Sequence, residues 1–182
     1  MIQAERTEAL RLHVLVSYAY WSKPKQLQIL DDAPQEWNIM LDSGAFTNFT
    51  QGKDATPVEE YAAFCREHEA RWWRIINLDR IGDPATSAHN LKHLHANGVP
   101  AIPVFQRGDD PAALKDMAQF GSPVCIGGIS QNLGSRVEQH YIAQMTRLAK
   151  TLDMKIHLLG VGGDALFRIP VWSGDSSSWE MA

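Results

Sequence analysis

Seven short apolar runs recur at fairly even spacing along the chain. Most of them are near-continuous rather than alternating, which is the pattern of strands that a parallel sheet buries on both faces. The predicted strands lie at 13–16, 37–41, 73–78, 99–105, 123–129, 155–161 and 169–172. The stretches between them are long enough for helices, so the pattern predicts an α/β protein built on a parallel sheet.

The predicted helices begin in one recurring style. The segment TPVE at 56–59 predicts a capping box with proline at the first helical position. Asp83 and Asp110 are each followed by proline, and we interpret both as helix caps. The longest predicted helix covers 137–152 and has its apolar residues on one face. The chain therefore repeats a unit of strand, loop and helix.

Two parallel architectures fit this repeat, a doubly wound sheet and a (β/α)8 TIM barrel. A doubly wound sheet would place a glycine-rich turn after its first strand, but the segment SYAYW at 17–21 has no glycine. We therefore predict the barrel. Because such barrels typically need about 250 residues and this chain has 182, we expect a reduced or incomplete barrel, with one strand missed or supplied by another chain. Residues 1–182 are expected to form a single domain.

Composition and charge limit the classes of function. With 45% hydrophobic and 21% charged residues, the chain is not a disordered tail, a collagen-like repeat or a disulfide scaffold. No apolar run approaches the ~20 residues that span a bilayer, and the first residues do not resemble a signal peptide, so we expect a cytoplasmic protein without membrane contact. A net charge of -4 provides no overall attraction to nucleic acid, so such a role must depend on a local patch or on the active site.

Polar residues and glycines follow the predicted strands at their carboxyl ends. They are Asp42, Asp79, Gln106, Gly127, Gly128, Gly160, Gly162 and Asp175. In a barrel the loops at this end form one open rim, where reacting groups gather. Three carboxylates, one amide and two glycine turns on a common rim predict a pocket that exchanges protons, donates backbone N–H groups and binds a planar polar ligand.

Each of these residues also has a purely structural explanation. An aspartate after a strand is often only a helix cap or a turn former. This explanation fits Asp42 less well than the others, because Ser43, Gly44 and Phe46 follow it, and a flat ligand could approach this backbone and stack on the phenyl ring. The glycines at 160–163 fit either a tight turn or a phosphate-binding loop of the kind that barrels carry after late strands.

The sequence predicts no metal site. His89 and His93 share a helical face at the spacing of a zinc pair, but no glutamate follows the first and no third ligand is near, so we interpret them as a solvated face. His157 lies inside an apolar strand and is interpreted as a core histidine, with a supporting role behind the site as the alternative. Cys65 and Cys125 are expected to be buried free thiols.

The strand-end motifs, taken together and in order, resemble the tRNA-guanine transglycosylase superfamily. The similarity is greatest to its phage branch, the queuine tRNA-ribosyltransferase-like or DNA 7-deazaguanine transglycosylases. The matching segments are LDSGAF at 41–46, NLDRIGDP at 77–84, PVFQRG at 103–108, IGGIS at 126–130, HLLGVGG at 157–163 and SGDSSSW at 173–179.

This resemblance implies roles for individual residues. Asp175 matches the nucleophile that attacks C1′ of the target nucleoside, and Asp42 matches the carboxylate that contacts the base and takes part in proton transfer. Hydrogen bonds to the base edge and stacking on both of its faces are implied for further positions. The full set of expected substrate-binding residues is Ser43, Gly44, Phe46, Asp79, Gln106, Gly127, Gly128, Leu159, Gly160 and Gly162.

The implied activity is that of a pentosyltransferase. It would replace guanine by a 7-deazaguanine of the preQ0, preQ1 or queuine type in DNA or tRNA, through a covalent glycosyl-aspartate and without a cofactor. A phage origin would place the protein in the host cytoplasm. The tRNA enzymes carry a zinc site of three cysteines and a histidine after the nucleophile strand, and no such residues follow Asp175 here, which leaves the choice between DNA and tRNA open.

Two alternatives remain at this stage. Water in place of the incoming base would make the chain a nucleosidase, or another hydrolase that cleaves N-glycosides with retention, on the same two carboxylates. The other alternative is a subunit that binds 7-deazaguanine without catalysis. The short barrel would suit such a subunit, either in a homo-oligomer or with a larger partner.

Overall fold

The computed structural model describes residues 12–34, 36–129, 135–161, 166 and 169–176. These residues form a mixed α/β protein with two parallel four-stranded sheets. The strands are β1 (His13–Ser17), β2 (Asn38–Asp42), β3 (Arg74–Ile76), β4 (Ala101–Ile102), β5 (Val104–Gln106), β6 (Val124–Gly127), β7 (Ile156–Leu158) and β8 (Ser173–Gly174). The helices are α1 (Tyr18–Trp21), α2 (Pro24–Asp31), α3 (Ala45–Thr50), α4 (Val58–Glu67), α5 (Pro84–Ala96), α6 (Ala113–Ala118) and α7 (Arg136–Thr151), with a 3₁₀ turn at Glu69–Arg71.

Both sheets have their strands in chain order. The first is β1-β2-β3-β4 and the second is β5-β6-β7-β8, and every neighbouring pair is parallel. Neighbouring parallel strands need a crossover connection, and helices supply it between most of them. This arrangement brings the carboxyl ends of all the strands in one sheet to the same edge.

The junction between the two sheets is a single residue, Pro103. Proline has no N–H to donate to a neighbouring strand, which divides the predicted strand at 99–105 into β4 and β5. The backbone on either side still forms cross-strand bonds. Ile102 O accepts from Asn77 N at 2.9 Å, and Pro103 O accepts from Cys125 N at 2.9 Å.

One apolar cluster draws on both sheets. Met40, Ile76 and Ile102 from the first sheet pack with Val104 and Cys125 from the second, and Leu15 and Leu159 pack against them. Because side chains alternate along a strand, the remaining strand residues point to the other face. There they pack against the helices in two larger clusters, one around Leu41, Tyr61 and Leu94 and one around Phe105, Ile142 and Met145. The two sheets therefore share one apolar face and each carries its own helical layer.

Local capping interactions explain where two of the helices begin. The Asp83 carboxylate accepts from Thr86 N at 3.0 Å, as predicted, and Pro84 opens α5. Ser135 caps α7 by accepting from Glu138 N at 3.1 Å. The predicted cap at Asp110 is wrong, because Ala112 is the N-cap of α6, and the Asp110 carboxylate accepts from Ala112 N at 2.9 Å in the turn before the helix.

Two further predicted elements need correction. The last strand is Ser173–Gly174 instead of 169–172, because it is the following residues that pair in register with His157 and Leu158. The capping box at 56–59 does not form. Pro57 is itself the N-cap of α4, and the hydroxyl of Thr56 accepts from Asn48 Nδ2 at 3.3 Å.

The two cysteines are free and buried, as predicted. Within the described residues, no helix combines the length and the apolar character needed to cross a membrane.

Candidate active site

Three aspartates stand at the carboxyl ends of strands. Asp42 is the last residue of β2, Asp79 follows β3 by three residues, and Asp175 comes directly after β8. They interact electrostatically, since the charge of Asp175 contributes to raising the pKa of Asp42, and the charge of Asp42 contributes to raising the pKa of Asp79. Two acids 133 residues apart in the chain thus lie within electrostatic range of each other at one edge of the sheets.

The environment of Asp42 favours its protonated form. Desolvation by the surrounding protein is the main cause that raises the pKa of this carboxyl, and the charge of Asp175 adds to it. The N–H of Gly44 donates to Asp42 Oδ2 at 2.9 Å and opposes the rise. Ser17 lies opposite Asp42 in the β1–β2 register, and its hydroxyl also opposes the rise.

Asp79 is 8% exposed, and this burial raises its pKa from 3.8 to about 6. Gln106 Nε2 donates to Asp79 Oδ2 in a short hydrogen bond, which lowers the pKa, whereas the charge of Asp42 raises it. The loop that carries Asp79 is tied to α5, since Asn90 Nδ2 donates to Leu78 O at 2.8 Å. Asp79 is therefore a fixed acid that titrates close to neutral pH.

Gln106 is the last residue of β5, and the position of its side chain requires a glycine on the neighbouring strand. Gly127 pairs with Gln106 in the β5–β6 register, and a Cβ added to this glycine would lie 2.7 Å from Gln106 Oε1. The backbone N–H of Gln106 donates to Asp109 Oδ2 at 2.9 Å, which holds the end of the strand. Glycine at position 127 thus provides the space in which the amide reaches Asp79.

Asp175 receives its contacts on one oxygen. Gly160 N donates to Asp175 Oδ1 at 3.1 Å, and His157 Nε2 lies 3.1 Å from the same oxygen. No hydrogen bond to Oδ2 is formed within the residues that the structure describes. The carboxylate side chain is 23% exposed, so this second oxygen belongs to a group that solvent or a ligand can reach.

His157 is the residue of the candidate site whose contacts the sequence analysis did not predict. It is 4% exposed in the middle of β7, and its Nδ1 lies 2.8 Å from Ser173 Oγ on β8. Its core position was predicted, but its direct contact with Asp175 was not. The available signal was the strand pairing, because a one-to-one parallel register places His157 beside Ser173 and within reach of the residue two positions later.

The other predicted glycines have positions that explain their identity. Gly44 has φ +75°, and a Cβ there would lie 2.7 Å from Ala19 Cβ, so the close neighbour that requires glycine is α1. Gly128 and Gly160 have φ values of +77° and +67°, a region that favours glycine. Gly160 uses this conformation to direct its N–H to Asp175.

The predicted stacking residues lie on different elements. Phe46 is 60% exposed on α3, and Leu159 is partly buried against the apolar cluster shared by the sheets. Ser43 is fully buried, and its hydroxyl accepts from Ala45 N at 3.3 Å, so it stabilises the turn into α3. Gly162 lies outside the described residues.

A cavity of about 430 Å³ borders Asp79. It lies between α3, the segment before α4 and the loop before α5, and Phe49, Lys53 and Arg80 line its wall. Asp42 and Asp175 do not line it. Another cavity of about 280 Å³ lies between α5 and α6, and Asp42, Asp79 and Asp175 do not line it.

Among the described residues, no group of three or more histidine, cysteine, aspartate or glutamate side chains is arranged to hold a metal ion. The rings of His89 and His93 lie 6.5 Å apart on α5. Asp42, Asp79 and Asp175 are thus acids placed among backbone N–H groups, an amide and a histidine, an arrangement suited to moving protons and to attack by a carboxylate.

Comparison with known proteins yields a weak structural similarity. No protein-family model matches the sequence, and no curated protein matches it. A solved structure described as "PaMucR Phosphodiesterase, c-di-GMP complex" resembles the fold with a TM-score of 0.48 and 20% sequence identity. The match covers 79% of this chain and 61% of that one, so this chain corresponds to about three fifths of that structure.

Proposed function

We propose that this chain is a base-exchange transglycosylase, a pentosyltransferase that replaces guanine by a 7-deazaguanine in DNA or tRNA. We also propose that the two sheets are parts of one reduced (β/α)8 barrel whose interior is their shared apolar face. The observation that carries the function is the grouping of Asp42, Asp79 and Asp175 at one edge of the sheets, where the charges of these acids act on one another. The order of the strand-end motifs supports the same function.

Asp175 has the geometry that a nucleophile needs. Its Oδ1 is held by Gly160 and His157, while Oδ2 is left to attack C1′ of the nucleoside. Cleavage of a glycosidic bond passes through an oxocarbenium-like state, which a nearby carboxylate captures as a covalent glycosyl-enzyme. The C1′–Oδ2 bond forms as the C1′–N9 bond breaks.

The departing guanine needs a proton, and Asp42 is suited to supply it. The raised pKa of Asp42 keeps a proton available closer to neutral pH than an ordinary aspartate would. In the second half of the reaction the ionised Asp42 takes a proton from the incoming 7-deazapurine, whose nitrogen then displaces Asp175 from C1′. Two displacements at the same carbon give retention of configuration.

Asp79 and Gln106 lie side by side and could both form hydrogen bonds with the edge of the base. An ionised carboxylate only accepts hydrogen bonds, whereas an amide both donates and accepts them. The donors on the pyrimidine ring of guanine would bond to Asp79, and its carbonyl would bond to an N–H donor near Gln106 or Gly128. Their mutual hydrogen bond fixes both side chains before the base arrives.

The base must leave its stack to reach this edge. Exposed aromatic and basic residues beside the site could hold the strand around it. Phe46 and Phe49 are exposed on α3, and Lys53 and Arg80 line the cavity that borders Asp79. Aromatic platforms next to cations are typical of surfaces that bind single strands, and they would compensate locally for the acidic net charge.

The test is incorporation of radiolabelled guanine or 7-deazaguanine into single-stranded DNA and, separately, into unmodified tRNA. Asp175→Asn should lower exchange by on the order of 10⁴-fold, because the nucleophile is lost. Asp83→Asn is the matched control, since Asp83 is an exposed helix cap, and it should exchange at the wild-type rate. Unchanged exchange in Asp175→Asn, or no exchange by the wild type on either nucleic acid, would refute the proposal.

Hydrolysis is a second candidate, and the exposure of Asp175 is the observation that favours it. With 23% of this side chain open, water could take the place of the incoming base. A hydrolase would release free pentose from guanosine or deoxyguanosine in the absence of any 7-deazapurine. A transglycosylase would release pentose far more slowly than it exchanges bases, so comparing the two rates on one enzyme preparation separates the candidates.

A further inference from the structure

We propose that His157 is a positioning residue that holds Oδ1 of Asp175 through a proton on Nε2, so that Oδ2 alone faces the substrate. The kinetic part of this inference rests on the proposed function, whereas the location of the proton does not. The group consists of His157 on β7 and Ser173 and Asp175 on and after β8, and it is called the histidine triplet below.

The strand register builds the histidine triplet. His157 pairs with Ser173 across β7 and β8, and with Cys125 across β6 and β7. Side chains two residues apart on a strand share a face, which places Asp175 beyond Ser173 on the side of the imidazole. The ring thus contacts Ser173 with Nδ1 at 2.8 Å and Asp175 with Nε2 at 3.1 Å.

The partners determine which ring nitrogen holds a proton. An ionised carboxylate offers no proton, so the contact at Nε2 is a hydrogen bond only when Nε2–H donates. A serine hydroxyl can either donate or accept, so it adapts to Nδ1 in whichever state the ring needs. With Ser173 donating to Nδ1, every polar atom of the buried imidazole is satisfied and the Nε2–H form is selected.

Both groups that contact Asp175 come from β7 and the turn that follows it. Gly160 lies two residues after the end of β7, and its N–H reaches the oxygen that His157 contacts, both at 3.1 Å. Two N–H groups on one oxygen restrain rotation of the carboxylate, and among the described residues the other oxygen accepts no hydrogen bond. A displacement of the reacting atom by about 1 Å lowers a rate by roughly 100-fold, so this restraint is expected to matter for attack on C1′.

Kinetics of three variants test the positioning role. His157→Phe keeps a planar ring but has no donor, and we expect kcat to fall about 100-fold with KM for the base within about twofold of wild type. His157→Gln places an amide N–H near the position of Nε2, and we expect it to recover most of the loss. His140→Phe is the matched control, because His140 is exposed on α7, and it should exchange like the wild type.

A fall in kcat with an unchanged KM distinguishes a positioning role from simple structural support. A residue that only stabilises the fold would change kcat and KM together or reduce the folded fraction, which circular dichroism and thermal melts measure. Wild-type kcat in a folded His157→Phe would overturn the inference. So would an equal loss of kcat in folded His157→Gln and His157→Phe, because the donor would then not be the relevant group.

The proton is located independently of any activity. In ¹⁵N-histidine-labelled protein, long-range ¹H–¹⁵N correlation spectra distinguish protonated from unprotonated ring nitrogens, and His157→Gln assigns the signal. We expect Nε2 to be protonated and its signal to shift in Asp175→Asn but not in Asp83→Asn. A neutral ring with its proton on Nδ1 would overturn the inference even if exchange is observed. A protonated Nε2 in an enzyme without exchange activity would support the inference while refuting the proposed function.

Discussion

Asp79→Asn provides a test of the site that needs no substrate. Burial raises the pKa of Asp79 from 3.8 to about 6, so the fold favours its protonated form. A group of this kind contributes stability that is fully present below the unfolded pKa and is lost as the pH rises through the folded pKa. The wild type should therefore lose stability between about pH 4 and pH 6, whereas the asparagine variant has no carboxyl here to titrate.

The size of this effect follows from the same values. A rise from 3.8 to about 6 corresponds to about 3 kcal/mol of free energy at about 1.4 kcal/mol for each pH unit. The charge of Asp42 is one of the causes, so part of this free energy belongs to the pair of acids. We expect Asp79→Asn to have nearly the wild-type free energy of unfolding at about pH 4 and to exceed it by roughly 1–3 kcal/mol at about pH 7.

Urea unfolding at a series of pH values measures the difference. Asp83→Asn is the control with the opposite sign, because hydrogen bonds from Thr86 lower the pKa of Asp83 and favour its ionised form. The neutral amide can still accept from Thr86 N but lacks the charge, so the variant should be less stable than the wild type at neutral pH and approach it as the pH falls. The reasoning would be refuted if Asp79→Asn were no more stable than the wild type at neutral pH. A stabilisation of the same size at both ends of the pH series would refute it as well.

Two further predictions concern glycines of the site. Gly127→Ala places a Cβ 2.7 Å from Gln106 Oε1, which is the end of a flexible side chain. Base exchange should therefore fall by about tenfold or more, while the free energy of unfolding in urea stays within about 1 kcal/mol of wild type. A large loss of stability would contradict this. In Gly44→Ala the new Cβ would lie 2.7 Å from Ala19 Cβ and 2.8 Å from Ala19 N, at a φ of +75°. This variant should lose more than about 1 kcal/mol of folding stability, and a wild-type melting temperature would refute the close approach.

The sequence was informative wherever burial decides the residue type. Strands covered on both faces need continuous apolar runs, and six of the seven predicted runs overlap the observed strands. The seventh, at 169–172, is apolar as well, but the residues that pair are Ser173 and Gly174. Serine and glycine have low strand propensity, and these two residues form a strand because they pair with β7. Their own sequence therefore does not predict the strand.

Three short helices were not predicted, and one predicted cap was wrong, for related reasons. Helices α1, α2 and α3 have four to eight residues, too short for a helical period to stand out in the sequence. At 56–59 the motif of a capping box is present, but the Thr56 hydroxyl instead accepts a hydrogen bond from Asn48 on α3. A side chain that can cap a helix can also bond elsewhere, and tertiary contacts decide between the two.

The positions of the acids were predictable, but the differences between them were not. Strand ends indicate Asp42, Asp79 and Asp175 because parallel sheets bring these ends to one edge. Their division of roles depends on neighbours from other parts of the chain. Desolvation raises the pKa of Asp42 and Asp79, whereas a single oxygen of Asp175 accepts from Gly160 N and lies 3.1 Å from Nε2 of His157.

This difference in surroundings is itself an argument for chemistry at the site. Burying carboxylates beside one another costs free energy, and a chain selected for stability alone would place amides or apolar residues there. Sites that carry out acid–base chemistry instead keep acids whose environments favour different protonation states. If Asp79→Asn and Asp42→Asn each stabilise the fold at neutral pH while exchange is lost, the cost in stability and the function will have been traced to the same side chains.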